Sequence, residues 1–269
     1  MEFESDSVLI SALQKFIRRC DLNGALYTAQ LLCNDNNDYQ RWHRLWRRLI
    51  VISSEDIGIA QKGVFKYLQK QLVKINTNKE LRLFLTLNAV KTLAYAKKSR
   101  LTDHAIIYYG QKIASDINTT NLDLYDIIYK NPINEAELLY YITYIYIKDR
   151  KMIKDCWKAI RNICTDTEEF DNIYFAWEEN NCILFLLHAC LLITRDYKSE
   201  QIIELEITSN CINHNVTVPD YVYDMHTTEG RKLGRDFKHF IEVSCKINNQ
   251  PIELIDTYYN ELVKKFVKL

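Results

Sequence analysis

Apolar side chains recur at helical spacing along most of the chain. Trp42, Leu45, Trp46 and Leu49 fall at positions i, i+3, i+4 and i+7, which places them on one face of a helix. Similar spacing predicts helices over residues 7–19, 22–33, 80–96, 102–117, 135–147, 151–164, 168–177, 182–194, 199–211 and 252–266. Glycine and proline, which the tight turns of β folds need, number only 6 and 3. The pattern therefore predicts an all-α protein built of antiparallel helical hairpins.

Residues 41–60 form the stretch around which the chain is organised. The apolar face of the first helix is followed by Ser53 and Ser54, whose hydroxyls can cap a new helix. Glu55 and Asp56 come next and suit the positive N-terminal end of that helix. Mg²⁺ binding by these carboxylates is the less favoured alternative. The stretch predicts a helix, a tight serine turn and a second helix that runs to Val73.

Length and charge limit the possible functions. At 269 residues the chain can form one large domain or two helical lobes, and the polar segment 116–120 suggests a boundary between 1–117 and 118–269. Lys plus Arg and Asp plus Glu both number 35, so a nucleic-acid contact would need a local basic patch. No apolar run reaches transmembrane length and the acidic N-terminus is not typical of a signal peptide, which favours the cytoplasm.

Several blocks in the first 115 residues resemble one protein family. Residues 47–60 (RRLIVISSEDIGIA), 11–21 (SALQKFIRRCD), 24–27 (GALY) and 87–99 (LNAVKTLAYAKKS) occur in the order found in the helical region of the RarA, or MgsA, branch of clamp-loader-related AAA+ ATPases. In that family this region follows the ATPase module and mediates self-association. The resemblance implies a clamp-loader-collar-like helical domain over 1–117, followed by a second helical lobe.

The ATPase module of that family has no counterpart in this chain. No G-x-x-x-x-G-K-[ST] motif is present, so nucleotide hydrolysis is not expected. The resemblance implies a non-enzymatic, homo-oligomeric adaptor in DNA replication, recombination or repair, and no cofactor or metal is expected. The implied partners are single-stranded DNA, a single-strand-binding protein or a clamp-loader-like ATPase, but no membrane. A motor-less version in an AT-rich sequence suggests a bacteriophage or mobile element, and a structural virion protein is a further alternative.

Two groups of residues are candidates for binding. Arg41, Arg44, Arg47 and Arg48 alternate with Trp42 and Trp46, an arrangement that suits single-stranded DNA through stacking and phosphate pairing. The alternative is that the tryptophans belong to the core and the arginines pair with acidic neighbours. The second basic group follows Thr227 and Thr228, either of which can cap a helix; its members are Arg231, Lys232, Arg235 and Lys238.

The second group also offers the best case for an enzyme. Asp224 and His226 can pair as orienting carboxylate and general base, while Arg231 and Arg235 clamp a phosphate-bearing substrate and His239 assists. No nucleophile motif accompanies them. A phosphate-binding or partner surface and an internal polar network remain alternatives for this cluster.

His188 lies on an apolar helix face and is interpreted as a satisfied core histidine. The tyrosine-rich helix 135–147 is interpreted as buried rather than as a stacking platform.

Overall fold

The computed structural model describes residues 5–33, 39–115, 123–195, 199–208 and 216–267. Within these ranges the protein is mostly helical, which confirms the predicted all-α class, while the hairpin and collar-like arrangement stays a prediction. The helices of the first half are α1 (Asp6–Arg18), α2 (Leu22–Cys33), α3 (Tyr39–Ile52), α4 (Val64–Thr77), α5 (Arg82–Tyr95) and α6 (Leu101–Ser115). Those of the second half are α7 (Leu124–Ile128), α8 (Glu135–Lys148), α9 (Ile153–Ile163), α10 (Thr167–Asn180), α11 (Ile183–Thr194), α12 (Thr228–Lys232), α13 (Phe237–His239) and α14 (Thr257–Phe266).

A single two-stranded parallel sheet is present among the described residues. Strand β1 (Gln61–Lys62) pairs with β2 (Glu200–Gln201), with Gln61 opposite Glu200. The sheet joins the region after α3 to the region after α11. No helix in the described part of the chain is long and apolar enough to cross a membrane.

One cluster of buried apolar side chains runs through the molecule from Val8 to Tyr258. The paired tryptophans of α3 lie inside it, since Trp42 and Trp46 are each 2% exposed. The tyrosine-rich helix α8 is also buried, through Leu138, Leu139 and Ile142, as predicted. The same core includes residues of both predicted ranges, 1–117 and 118–269, and that division stays a prediction; segment 116–120 lies outside the described residues.

The predicted serine turn is wrong. The chain continues from α3 directly into a π-helical turn, Ser53–Ile57, and a 3₁₀ turn, Gly58–Ala60. Ser53 Oγ donates to Leu49 O, one turn back, and caps nothing. The second helix begins only after Gly63, whose φ of 78° ends β1. A wide turn in place of a cap leaves the side chains of Ser53, Ser54, Asp56 and Ile57 buried.

Three other element predictions need correction. Residues 199–208 of the predicted helix 199–211 are extended, because their acidic and apolar residues alternate with period two from Glu204 onward. The helix expected to follow Thr228 breaks after Lys232, where Gly234 has a φ of 70°. The last helix starts at Thr257, capped by the Asp256 carboxylate, rather than at Ile252.

Candidate functional site

The site begins at a buried carboxylate in the π-helical turn. Asp56 is fully buried, and its Oδ1 accepts hydrogen bonds from Arg18 Nε and Arg100 Nη1, each at 2.6 Å. Gln14 Nε2 donates to the other oxygen at 2.9 Å. Bonds from two guanidinium groups satisfy a carboxylate that has lost its water. We call Arg18, Glu55, Asp56, Arg100 and Asp103 the central ion network.

Close backbone packing places the two halves of this network. Gly58 has a φ of 50°, and a Cβ at this position would lie 2.9 Å from Ser99 O. Ser99 N donates to Asp56 O at 2.9 Å. The preceding residue, Lys98, is fully buried and its Nζ donates to Leu93 O and Ala94 O at the end of α5. The turn at 98–100 therefore carries Arg100 onto the Asp56 carboxylate.

Two carboxylates of the network, Glu55 and Asp56, have pKa values that are shifted in opposite directions. Glu55 Oε1 lies 3.1 Å from Arg18 and 3.2 Å from Arg100. Burial, together with the neighbouring charges of Asp103 and Asp56, raises the pKa of Glu55. Burial also acts to raise the pKa of Asp56, but Arg18 and Arg100 outweigh it and the pKa is lowered. Asp56 is thus the fixed anion of the network and Glu55 its more readily protonated member.

The interpretation of Glu55 and Asp56 as partners of a helix N-terminus is wrong. No helix starts at this turn, and both carboxylates bond instead to arginines from α1 and from the start of α6. Sequence patterns do not indicate these ion pairs because Arg18 and Arg100 are distant in the chain from Glu55 and Asp56. Among the described residues no group of three or more potential ligands could hold a metal ion.

A cavity of about 560 Å³ lies next to the central ion network. Arg18, Glu55 and Asp103 reach it from the network, while Arg41, Arg44 and Arg48 reach it from α3. Asp224 and His226 line it from the loop that precedes α12. Two stretches that the sequence offered as separate candidates therefore border one space. We call this space the arginine cavity.

The arginines of α3 differ in their partners. Arg41 and Arg44 both pair with Asp6, at 2.8 and 3.2 Å. Arg48 donates to the Gln14 amide oxygen at 3.4 Å and, within the described parts of the chain, makes no ion pair. Arg47 points elsewhere, to Asn180 Oδ1. Since the tryptophans between them are buried, the cavity offers guanidinium groups but no stacking surface from α3.

Asp224, which also lines the cavity, contacts both a lysine and a histidine. Lys15 Nζ lies 2.7 Å from Asp224 Oδ2, and His226 Nδ1 lies 3.3 Å from Oδ1. Burial lowers the pKa of Lys15 to about 8, although Asp224 opposes this. Burial acts to raise the pKa of Asp224, but the hydrogen bonds from His226 and Lys15 outweigh this effect. The pKa is lowered overall, so the carboxylate stays ionised. The His226 side chain is 61% exposed at the cavity.

The loop that carries Asp224 and His226 is held by the start of α12. Thr227 caps this helix, as predicted, by accepting a hydrogen bond from Gly230 N at 2.9 Å. Gly230 lies directly against the Asp224 backbone, and a Cβ there would come within 2.0 Å of Asp224 O. The glycine thus allows the contact that fixes the carboxylate beside Lys15.

The other predicted residues of this segment lie outside the arginine cavity. Arg231 donates to Met225 O and Thr228 Oγ1, and Arg235 pairs with Asp220 at 2.5 Å. His239 Nε2 is 3.6 Å from the same aspartate. The two lysines are exposed, with Lys238 3.8 Å from Glu242 and Lys232 at the end of α12. They are not brought together with Asp224 and His226 around the cavity.

A second buried cluster joins the C-terminal helix to the network. His104 Nδ1 lies 2.6 Å from Asp256 Oδ2, and its Nε2 lies 3.4 Å from Cys245 Sγ. His104 and Cys245 are 3% and 1% exposed, and neither lines the arginine cavity. Burial acts to lower the pKa of His104, but the hydrogen bonds to Asp256 and Cys245 outweigh this effect. The pKa is raised overall, to about 9. The imidazolium therefore ties the cap of α14 to α6.

Replacing His104 by glutamine should remove a pH dependence of stability. The pKa of His104 is raised from 6.5 to about 9 in the folded protein, so its contribution is complete below pH 6.5 and is lost as pH rises through 9. That contribution is about 3 kcal/mol. Urea unfolding between pH 6 and 9.5 checks this. The difference between wild type and His104→Gln should shrink with rising pH, and a constant difference would contradict the ion pair.

Neither family models, nor curated proteins, nor solved structures gave a match to this chain. The fold and site define a helical protein in which a buried ion network adjoins an arginine-lined cavity. Residues of three separate sequence segments, 11–21, 47–60 and 87–99, meet in or beside this network: Arg18, Glu55, Asp56, Lys98 and Ser99. Sequence patterns alone do not indicate Arg18, Arg100, Asp103 or His104 as site residues.

Proposed function

We propose that the protein is a non-enzymatic adaptor of DNA replication, recombination or repair that binds single-stranded DNA at the arginine cavity. One observation carries the proposal: Arg41, Arg44 and Arg48 lie along one side of a cavity large enough for a nucleotide unit. Guanidinium groups are the side chains best suited to phosphate, because they donate in a planar fork. The partner class and the collar-like assembly rest on the resemblance to the RarA region.

The charges around the cavity favour a single strand over a duplex. Net charge is zero, and Asp6, Glu55, Asp103 and Asp224 line the same space as the arginines. A duplex requires a broad basic surface, whereas one strand can place a phosphate at Arg48 and Arg44 and keep clear of the carboxylates. Arg44 is 63% exposed, so its guanidinium can exchange Asp6 for a phosphate.

Removing two cavity arginines should weaken binding of single-stranded DNA. For Arg44→Ala/Arg48→Ala we expect about tenfold weaker binding of a labelled oligonucleotide at low salt, because two phosphate contacts are lost. The slope of log affinity against log salt should fall by about 1.4. Fluorescence anisotropy at several salt concentrations measures both quantities.

The matched control is Lys158→Ala/Arg161→Ala. These cations lie on α9, pair with Asp155 and Asp171, and do not line the arginine cavity. The control removes the same charge and should bind like wild type. Equal weakening in both variants would show a non-specific charge effect, and unchanged binding by Arg44→Ala/Arg48→Ala would exclude this site.

The second candidate is an enzyme that acts on a phosphate-bearing substrate. The contact between His226 and Asp224 favours it, because an ionised carboxylate orients the imidazole and leaves Nε2 toward the cavity. The arginines available to a substrate would be Arg44 and Arg48 rather than Arg231 and Arg235. His226→Ala separates the two functions: an enzyme would lose turnover, whereas the adaptor would keep its DNA affinity within about twofold, since one exposed histidine contributes little charge.

A further inference from the structure

Residues 199–208, here called the strap, lie extended across α4 and α5. None of these residues is buried, although Ile202, Leu205 and Ile207 are half-buried. The strap therefore contributes little apolar surface to the core. It is held by the pairing of β2 with β1 and by polar contacts along a surface that we call the strap groove, defined by Lys62, Lys70, Asn88, Lys91, Thr92 and Lys97.

The strap groove recognises the backbone of an extended chain. Ile202 N donates to Lys62 O at 2.9 Å, Leu205 N to Thr92 Oγ1 at 2.9 Å and Ile207 N to Asn88 Oδ1 at 2.8 Å. Asn88 and Thr92 are four residues apart on α5, about 6 Å along the helix axis. Alternate residues of an extended chain are about 6.6 Å apart. The two side chains thus match the repeat of the strap.

Charge along the strap groove complements the strap. Lys97 pairs with Glu200 at 2.8 Å and Lys70 with Glu204 at 3.1 Å. Lys91 Nζ donates to Glu206 O at 2.8 Å. The lysines belong to α4, α5 and the turn after it, and all act on one extended segment. The groove therefore prefers a chain with carboxylates at the positions of Glu200 and Glu204 and aliphatic residues at the half-buried positions.

We propose that the strap groove is a docking site for an extended acidic–aliphatic segment of a partner protein, and that the strap is its resident occupant. Backbone recognition by Asn88 and Thr92 serves any residue with a free N–H, while the lysines and the half-buried aliphatic positions supply selectivity. A partner segment of this chemistry takes the same contacts once the strap is displaced. The groove is distinct from the arginine cavity.

A labelled peptide with the sequence of residues 199–208 tests the proposal by fluorescence anisotropy. Wild type should bind it weakly, because the attached strap competes at an effective concentration of about 1 mM. Glu200→Lys/Glu204→Lys in the full chain repels the strap from Lys97 and Lys70, and should bind the peptide at least about tenfold tighter. Adding Thr92→Val and Asn88→Ala should abolish that gain. A peptide with lysine at the positions of Glu204 and Glu206 serves as the control.

The outcomes separate a docking site from a fixed structural segment. Circular dichroism must show that Glu200→Lys/Glu204→Lys is folded; if it unfolds, the strap is structural and the proposal is wrong. Equal binding by the folded variant and by wild type overturns it as well. In wild type, the amides of Leu205 and Ile207 should exchange with solvent at least a hundredfold faster than those in the middle of α5. Equally slow exchange would contradict displacement.

Discussion

Asp56→Asn is expected to lower the free energy of unfolding by about 3–5 kcal/mol, because it takes from two buried guanidinium groups the one fully buried carboxylate that they share. Arg18 and Arg100 each bond to Asp56 Oδ1 at 2.6 Å, and both arginine side chains are essentially buried. Asparagine keeps the shape and one acceptor but removes the charge. Arg100 then keeps its ion pair with Asp103, whereas Arg18 is left with Glu55, whose raised pKa makes it a poor substitute. Urea unfolding followed by circular dichroism at pH 7 measures the change.

Asp171→Asn is the matched control for this change. Asp171 also accepts two hydrogen bonds from an arginine, Arg161, at 2.8 and 3.2 Å, but it is 61% exposed. An exposed pair contributes less than about 1 kcal/mol. Similar losses in the two variants would mean that burial does not determine the strength of the central ion network.

Gly230→Ala is expected to destabilise the protein by about 3 kcal/mol or more, since the added methyl meets backbone that no side-chain rotation can move. Its Cβ would lie 2.0 Å from Asp224 O and 2.6 Å from Asp224 N. To remove this steric overlap, the loop that carries Asp224 and His226 must shift away from Lys15. The variant should therefore lose both stability and the geometry of one wall of the arginine cavity. Thermal unfolding and the NMR chemical shifts of the His226 ring report the two effects.

Gly110→Ala tests the same chemical change without the contact. Gly110 lies inside α6, and a Cβ added there would meet no atom within 4 Å beyond its own helix and chain neighbours. Alanine should raise stability by about 0.5–1 kcal/mol, because it restricts the unfolded chain and favours the helix. Opposite signs at Gly230 and Gly110 are the expected result. Equal signs would contradict the close approach of Gly230 to Asp224.

The helices that could be predicted from the sequence are those with a clear apolar period. The predicted bounds of α1, α8 and α11 agree with the structure to within one residue. The predictions failed where the same residue type can fit two different local structures. Ser53 can cap a helix or bond back to its own turn, and it does the latter, while Ser54 Oγ donates to Leu184 O, a contact that the local sequence does not indicate. The strap sequence predicts a helix wrongly because its Ile and Leu residues also fit a helical face.

The candidate site could be predicted only in separate pieces. Sequence patterns indicate Arg44 and Arg48, and separately Asp224 and His226, but give no reason to place them around one cavity. The link is α1, whose Lys15 reaches Asp224 while its Gln14 reaches Arg48. The contact between Lys15 and Asp224 joins residues about 200 positions apart and leaves no local pattern.

His188 shows the same limit at a single side chain. Its apolar helix face predicts a core histidine with its hydrogen bonds satisfied. The residue is buried and packs against Phe65, but its Nδ1 has no partner among the described residues. Burial lowers the pKa of His188 to about 3, so it is neutral. Apolar spacing predicts burial well, yet it carries no information on whether a polar atom inside will find a partner.

Size-exclusion chromatography with light scattering, run with and without a single-stranded oligonucleotide, tests the central claim most directly. We expect a defined oligomer whose mass rises by that of the bound oligonucleotide at about 50 mM salt and rises less at about 200 mM, as phosphate contacts require. The Arg44→Ala/Arg48→Ala variant should keep the oligomer and lose most of the increase. A wild-type protein whose mass is unchanged by the oligonucleotide at about 50 mM salt would contradict DNA binding at the arginine cavity.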